Sequence, residues 1–244
     1  MSPRAPLAWK LARVRETIAE TPKARSLVLE VPDWHGHRAG QHLDVRLTAP
    51  DGYQAQRSFS LANAPEDPVP VITVDRIDDG EVSPYLTEVV QKGDDLEVRG
   101  PIGGPFTWSV GDGGPLLLVG GGSGLVPLMS MLRHRARQGS ELDTRALISV
   151  REPGLALYPD ELRALQPAGN LDVRWTYTRS PAPDARDFSG RVSAEMLAAL
   201  GPPADAAPHV FVCGPTGFVE AVATLLVDAG HDPVRIRTER FGPA

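Results

Sequence analysis

The sequence predicts a β + α/β protein: a small antiparallel β domain, barrel or sandwich, followed by a doubly wound parallel-sheet domain of nucleotide-binding type. Three observations carry this. Short alternating or β-branched runs dominate residues 8 to about 100, strands alternate with helices from residue 111, and a glycine-rich turn joins the first strand of that second half to its first helix.

In the first half the strand signals lie at residues 9–17, 25–31, 41–48, 56–62, 69–76 and 94–99. Turn clusters such as Ala49-Pro50-Asp51-Gly52 and Asp78-Asp79-Gly80 separate them. Only residues 84–91 look helical, with Leu86, Val89 and Val90 on one face. About six strands at this spacing fit a small barrel or sandwich. In the second half, residues 115–120 form a continuous apolar run, and Leu125, Leu128, Met129 and Leu132 follow at helical spacing. Further strands are expected at 145–150, 171–176, 209–212 and 234–238, and helices at 159–165, 193–200 and 217–229. Gly201 and Gly230 stop the last two helices. Five strands alternating with helices give a parallel sheet covered on both faces. The Gly/Pro-rich stretch over residues 100–114 is the seam, which divides the chain into 1–108 and 109–244.

Composition removes several function classes. With 25 basic and 31 acidic side chains the 244 residues carry −6, a poor balance for a nucleic-acid binder. One cysteine, Cys213, excludes an internal disulfide and a cluster held by four chain cysteines. No apolar run approaches the roughly 20 residues of a membrane span, and Met1 to Pro6 lack a leader's apolar stretch. The expectation is a soluble cytoplasmic protein that binds neither membrane nor nucleic acid. His35-Gly36-His37 has no acidic or cysteine companion at ligand spacing, so no metal site is expected.

Four motifs remain. Gly120-Gly121-Gly122-Ser123-Gly124 lies between an apolar strand and an amphipathic helix. It reads either as a pyrophosphate cradle at a helix N-terminus or as a tight turn that needs glycine for its dihedrals alone. Arg57-Ser58-Phe59-Ser60 sits on a strand, and Gly80-Glu81-Val82-Ser83 opens the lone helical segment of the first half. Cys213-Gly214-Pro215 ends a strand at the edge where open parallel sheets place their ligands. No Cys–His pair, nucleophile elbow, Walker lysine or HExxH accompanies them.

In this order, and over nearly the whole chain, the motifs resemble the ferredoxin–NADP reductase family. The resemblance implies an N-terminal antiparallel Greek-key barrel that binds flavin and an NAD(P)H-binding α/β domain. Arg57 to Ser60 fit its Arg-x-Tyr/Phe-Ser flavin motif, with Phe59 where tyrosine is common. By that likeness Arg57 pairs with the flavin phosphate, Phe59 packs on the ring, Ser60 bonds near the hydride-accepting atom, and Val74 lies along the ribityl chain. Ser58 belongs to the same motif, and Val82 and Ser83 hold the pyrophosphate, which favours FAD over FMN. Gly121, Gly122, Ser123 and Gly124 resemble the nicotinamide-dinucleotide site, and Cys213, Gly214 and Pro215 its nicotinamide side. Glu239 and Phe241 resemble the acidic and aromatic C-terminus that closes over the flavin. Ser60, Cys213 and Glu239 are therefore the expected catalytic residues. Ser149, Arg151 and Arg179 favour NADPH over NADH, while Glu152 pulls the other way.

The implied activity is a reductase that takes hydride from NAD(P)H onto FAD and passes single electrons to a separate ferredoxin, oxygenase component or haem protein. Fused ferredoxin domains occur in the family, and this sequence lacks the cysteines and length for one. Two alternatives stay open: a free-flavin or quinone reductase, and a non-catalytic nucleotide-binding or electron-transfer subunit. Residues 1–25 hold six basic residues (Arg4, Lys10, Arg13, Arg15, Lys23 and Arg25) against two acidic ones, leaving −10 on the remaining 219. A solvated strand face accounts for this segment, with steering of an acidic partner as the other reading.

Overall fold

Alternation in the first half produces six strands that pair antiparallel. In the computed structural model, which describes residues 7–167 and 170–242, they are β1 (Lys10–Ala19), β2 (Ala24–Glu30), β3 (His42–Thr48), β4 (Gln54–Ser60), β5 (Val71–Asp75) and β6 (Asp95–Ile102). Their order is β4-β3-β6-β1-β2-β5, and a bridge between Leu61 and Ile72 joins the two edges into a Greek-key barrel. Leu27, Leu29, Leu43, Val45, Ile72 and Val74 fill its interior with no measurable exposure. The expected helix at 84–91 is instead a π-helical turn (Tyr85–Val89) closed by the Val90 N–H on the Tyr85 carbonyl. The wider winding turns Leu86 and Val90 into the core and leaves Val89 52% exposed.

The basic N-terminal strand is a paired face. Arg13 and Arg15 each sit 3.0 Å from a carboxylate, those of Asp95 and Glu30, and Lys23 lies 2.8 Å from Asp78. Lys10 and Arg25 donate to the carbonyls of Pro32 and Val90. Arg4 and the segment Met1 to Pro6 lie outside the described residues.

The second half is a parallel sheet of β7 (Leu116–Gly121), β8 (Thr144–Val150), β9 (Leu171–Tyr177), β10 (Phe188–Ser189), β11 (His209–Pro215) and β12 (Ile236–Phe241), ordered β10-β9-β8-β7-β11-β12. It has one strand more than the periodicity predicts, because two-residue β10 is too short to show a period. The helices are α1 (Leu125–Arg137), α2 (Pro159–Leu165), α3 (Ala194–Leu200) and α4 (Thr216–Asp228). Ser193 caps α3 by accepting from the Met196 N–H. Along β11, Val210 and Val212 pack beneath α3 and α4, while Phe211 and Cys213 face the opposite way.

That opposite face shares one apolar cluster with Ala39, Ala62, Phe106 and Trp108 of the first half, so a core runs across the seam. Polar ties reinforce it. The Ser130 hydroxyl and the Arg133 guanidinium donate to the Asn63 and Ala62 carbonyls at 2.7 Å, and the Tyr158 hydroxyl meets the Thr73 hydroxyl at 2.5 Å. Among the described residues no helix is long and apolar enough to cross a membrane.

Candidate active site

Strand order reverses between β7 and β11, and the crevice beyond their C-terminal ends is where doubly wound sheets hold ligands. Register places Gly120 opposite Cys213 and Cys213 opposite Glu239, a row across the sheet edge. Paired residues in a sheet share a face, so the alternation that turns Cys213 toward the barrel turns Glu239 there too. From the barrel side, β4 presents Arg57 to Ser60 to the same crevice, and His42 on β3 stands directly opposite Ser60.

A cleft of about 740 Å3 results. Its barrel wall is Arg57, Ser58, Phe59 and Ser60 with Val82 and Ser83, and its sheet wall is Ser123, Cys213, Glu239 and Phe241. Ten residues expected from the sequence thus converge from separate segments. A second cleft of about 420 Å3 holds Gly121, Gly122, Arg151 and Pro215, and faces Lys23 and Asp78 of the barrel. Asp75, Ile77, Ser123 and Phe241 line both, forming the wall the two clefts share.

Arg57 is exposed and pairs with Glu81 at 3.2 Å; Tyr53 donates to the other oxygen of Glu81 at 2.5 Å. So exposed a pair is weak, which leaves the guanidinium available to a stronger anion. Ser58 donates to Asp44 at 2.6 Å, and Arg99 reaches the second Asp44 oxygen at 2.6 Å. Burial pushes the Asp44 carboxyl up, but these two donors outweigh it and hold the carboxyl below its usual range. The Ser83 oxygen accepts from the Ile77 N–H at 3.0 Å, which fixes the turn and leaves the hydroxyl proton to donate.

Two expected residues keep their side chains out of both clefts. The Val74 side chain is wholly buried in the barrel core, and by strand alternation its neighbours Thr73 and Asp75 face the cleft instead. Arg179 is exposed and lines neither cleft; its N–H donates to the carbonyl of Arg151, which lines the second, at 2.9 Å. Gly124 and Gly214 contribute backbone only. A Cβ on Gly214 would fall 2.7 Å from the Phe218 ring.

At the sheet edge burial disfavours the charged form of two acids. Burial raises the Glu239 carboxyl to about 7, and its Oε2 is buried without a hydrogen-bond partner. Burial, and then the nearby Glu239 charge, push the Cys213 thiol well above its ordinary range. Cys213 is therefore a neutral thiol rather than a nucleophile. His42 Nδ1 lies 3.7 Å from Glu239 Oε1, and burial lowers its pKa. Sequence reasoning missed His42, Thr73 and Asp75. His42 was reachable, since counting outward from the Asp51-Gly52 turn pairs it with Ser60.

The Glu239 shift has a measurable consequence. The folded state holds a proton that the unfolded chain releases above pH 4.5, so this group's contribution to stability is complete below pH 4.5 and is lost as pH rises through about 7. The loss amounts to roughly 3 kcal/mol. Glu239→Gln should flatten that slope, giving a variant more stable than the parent above neutrality in urea unfolding; parallel pH profiles would contradict it.

The cleft fits a flavin: a cation and a hydroxyl donor at one end suit a diphosphate, Phe59 offers a flat apolar wall, and an orphaned buried carboxyl oxygen waits at the other end. Comparisons agree. Residues 12–107 match the family described as oxidoreductase FAD-binding domain, and residues 118–224 match oxidoreductase NAD-binding domain. A Bordetella pertussis flavohemoprotein is 32% identical over 96% of this chain and 61% of its own length. The ferredoxin reductase component of a Rhodococcus rhodochrous 3-ketosteroid-9-alpha-monooxygenase is 31% identical over 93% and 64%. The chain spans less than two thirds of either relative. Among solved structures, the flavohem-like FAD/NAD-binding domain of a nitric oxide dioxygenase from Vibrio cholerae O1 biovar El Tor superposes with a TM-score of 0.86 at 26% identity, covering 96% of this chain and 99% of that one.

Proposed function

Because the chain belongs to the ferredoxin–NADP reductase family, with FAD-binding and NAD-binding oxidoreductase domains in tandem, we propose that it takes hydride from NAD(P)H onto FAD and passes electrons singly to a separate protein. The observation that carries this is the meeting of Ser60, Cys213 and Glu239 in one cleft from three strands of two domains. Bound FAD supplies the switch between two-electron uptake and one-electron release.

The chain's own residues bind, orient and exclude water. Residues 1–108 hold the flavin and 109–244 the nicotinamide nucleotide. Arg57 and Ser83 hold the diphosphate, and the β5 backbone at Val74 lies along the ribityl chain, with the Thr73 and Asp75 side chains facing the cleft. Phe59 and Phe241 cover the ring and keep water from the reacting end. The backbone of Gly121 to Gly124, with Gly214 and Pro215, receives the nucleotide against Cys213, whose small neutral thiol lets the two rings approach. The acceptor is a ferredoxin, oxygenase component or haem protein, a reading supported by the similar monooxygenase reductase component and flavohemoprotein. A cytoplasmic location is supported by the single free cysteine.

Arg151, with Ser149 beside it, sets the preference for NADPH. Arg151→Ala should raise KM for NADPH on the order of tenfold and for NADH far less; equal effects in steady-state kinetics would remove this residue from nucleotide selection. The proposal as a whole is tested by an anaerobic visible spectrum with stepwise NADPH and NADH. Flavin bands that bleach are expected, with turnover faster on a protein acceptor than on free FMN or menadione. A protein colourless after reconstitution with FAD refutes it.

A further inference from the structure

Tyr158, Thr73, Ser26 and Glu20 form one hydrogen-bonded chain between the flavin cleft and the barrel surface. Thr73 lines that cleft and stands opposite Ser26 in the pairing of β5 with β2. Its Oγ1 lies 2.5 Å from the Tyr158 hydroxyl, which reaches across the seam, and 2.7 Å from the Ser26 hydroxyl. Ser26 in turn donates at 2.5 Å to Oε1 of Glu20, a half-buried residue just after β1. Tyr158, Thr73 and Ser26 are all buried.

The carboxylate end fixes the direction of every bond. A carboxylate only accepts, and each hydroxyl owns a single proton. Ser26 directs its proton to Glu20, so it accepts from Thr73. Thr73 thereby donates to Ser26 and accepts from Tyr158, whose phenol burial pushes up to about 12 and keeps a neutral donor. A single lone pair on Thr73 Oγ1 is left over, and among the described residues no further donor reaches it. The cleft wall therefore offers an acceptor at this point. The Leu61–Ile72 bridge sets Thr73 beside Ser60, at the ring end of the flavin motif. An oxidised flavin ring has one donor, its imide N–H, and its other polar ring atoms accept.

We propose that Glu20 is a positioning residue that, through Ser26, makes Thr73 a hydrogen-bond acceptor for the flavin imide, a role that rests on the proposed FAD site. Without the Ser26 hydroxyl, or with a cation in place of Glu20, Thr73 keeps its own proton and turns it to the cleft. The titratable and charged groups of the cleft are His42 on β3, Arg57 on β4, Asp75 on β5, Cys213 on β11, Glu239 and Arg240 on β12, and Asp79 and Glu81 in the turn before the π-helical segment. Outside it, Arg133 of α1 lies 4.7 Å over the Tyr158 ring and pairs with Glu161 at 2.6 Å. All of these are common to the parent and the variants that test the role.

The test titrates FAD-loaded protein with alkali and follows the flavin bands, which shift when the imide loses its proton. An acceptor facing the imide disfavours its anion, and a donor favours it. In Ser26→Ala the imide ionisation constant should rise on the order of tenfold, and Glu20→Lys should match it. Tyr158→Phe should stay within about twofold of the parent, because Thr73 still donates to Ser26 and still shows the cleft a lone pair. Thr73→Val, which offers the imide neither, should fall between. In a Ser26→Ala background Glu20→Lys should add nothing, since the chain is cut, whereas a through-space charge effect would persist. Separately, quenching of flavin fluorescence should show oxidised FAD binding Ser26→Ala about fivefold more weakly than the parent. If Ser26→Ala does not fold, Glu20→Lys at the half-buried end of the chain carries the same comparison with Tyr158→Phe. An imide constant unmoved in these variants, or moved as far in Tyr158→Phe, overturns the role of Glu20 and leaves the FAD site standing. A parent protein that binds no FAD overturns the flavin reading, and the role with it.

Discussion

Gly124→Ala is expected to cost about 3 kcal/mol or more, seen as a lowered urea midpoint together with loss of nucleotide-driven flavin bleaching. Its φ of −60° is ordinary helical geometry, so any residue could adopt the backbone. Space is the constraint. A Cβ there would lie 2.1 Å from the Cys213 carbonyl oxygen, 2.5 Å from its carbon and 2.8 Å from the Gly214 nitrogen. These are backbone atoms of a central strand and have no rotamer by which to give way. Gly122 is the control, with φ +56° and nothing within 4 Å of an added Cβ. Gly122→Ala should cost only about 1–2 kcal/mol of left-handed strain. Equal stabilities for the two variants would show that the turn can part from β11 at no cost, against the geometry.

Arg57→Ala should weaken flavin binding by about 10- to 100-fold, the effect of removing one charge-assisted hydrogen bond to a phosphate. Quenching of flavin fluorescence during titration of the apoprotein measures it directly. Arg57→Lys should recover only part of the affinity, because a point charge lacks the planar fork that matches two phosphate oxygens. Salt should weaken the parent more than Arg57→Ala. The guanidinium rests on Glu81, with both side chains about half exposed, so little is given up when a phosphate takes it. Unchanged flavin affinity in Arg57→Ala would move the anion site elsewhere.

The ambiguity of the glycine turn is answered differently at each position. Gly122 serves the dihedral reading, with its positive φ, whereas Gly124 serves close approach of the turn to β11. A sequence motif cannot separate the two, because glycine answers both demands with the same letter. Val74 and Arg179 show what a motif leaves open about facing. Each belongs to a segment that does reach a cleft, but strand alternation turns the Val74 side chain inward, and Arg179, beyond the end of β9, is exposed outside both clefts. Likeness to a motif assigns a segment to a ligand; which side chain meets it depends on facing.

The sequence by itself determined the two-part architecture and nearly all the strands and helices, because hydrophobic period and turn chemistry are local and each is legible within a dozen residues. Tertiary structure alone decided that Ser60, Cys213 and Glu239 share a cleft, that His42 joins them from across a hairpin, and that Glu239 titrates near 7 rather than as a surface carboxylate. The reason is that proximity between residues far apart in the chain comes from strand register and sheet order, and a pKa comes from the water that packing removes.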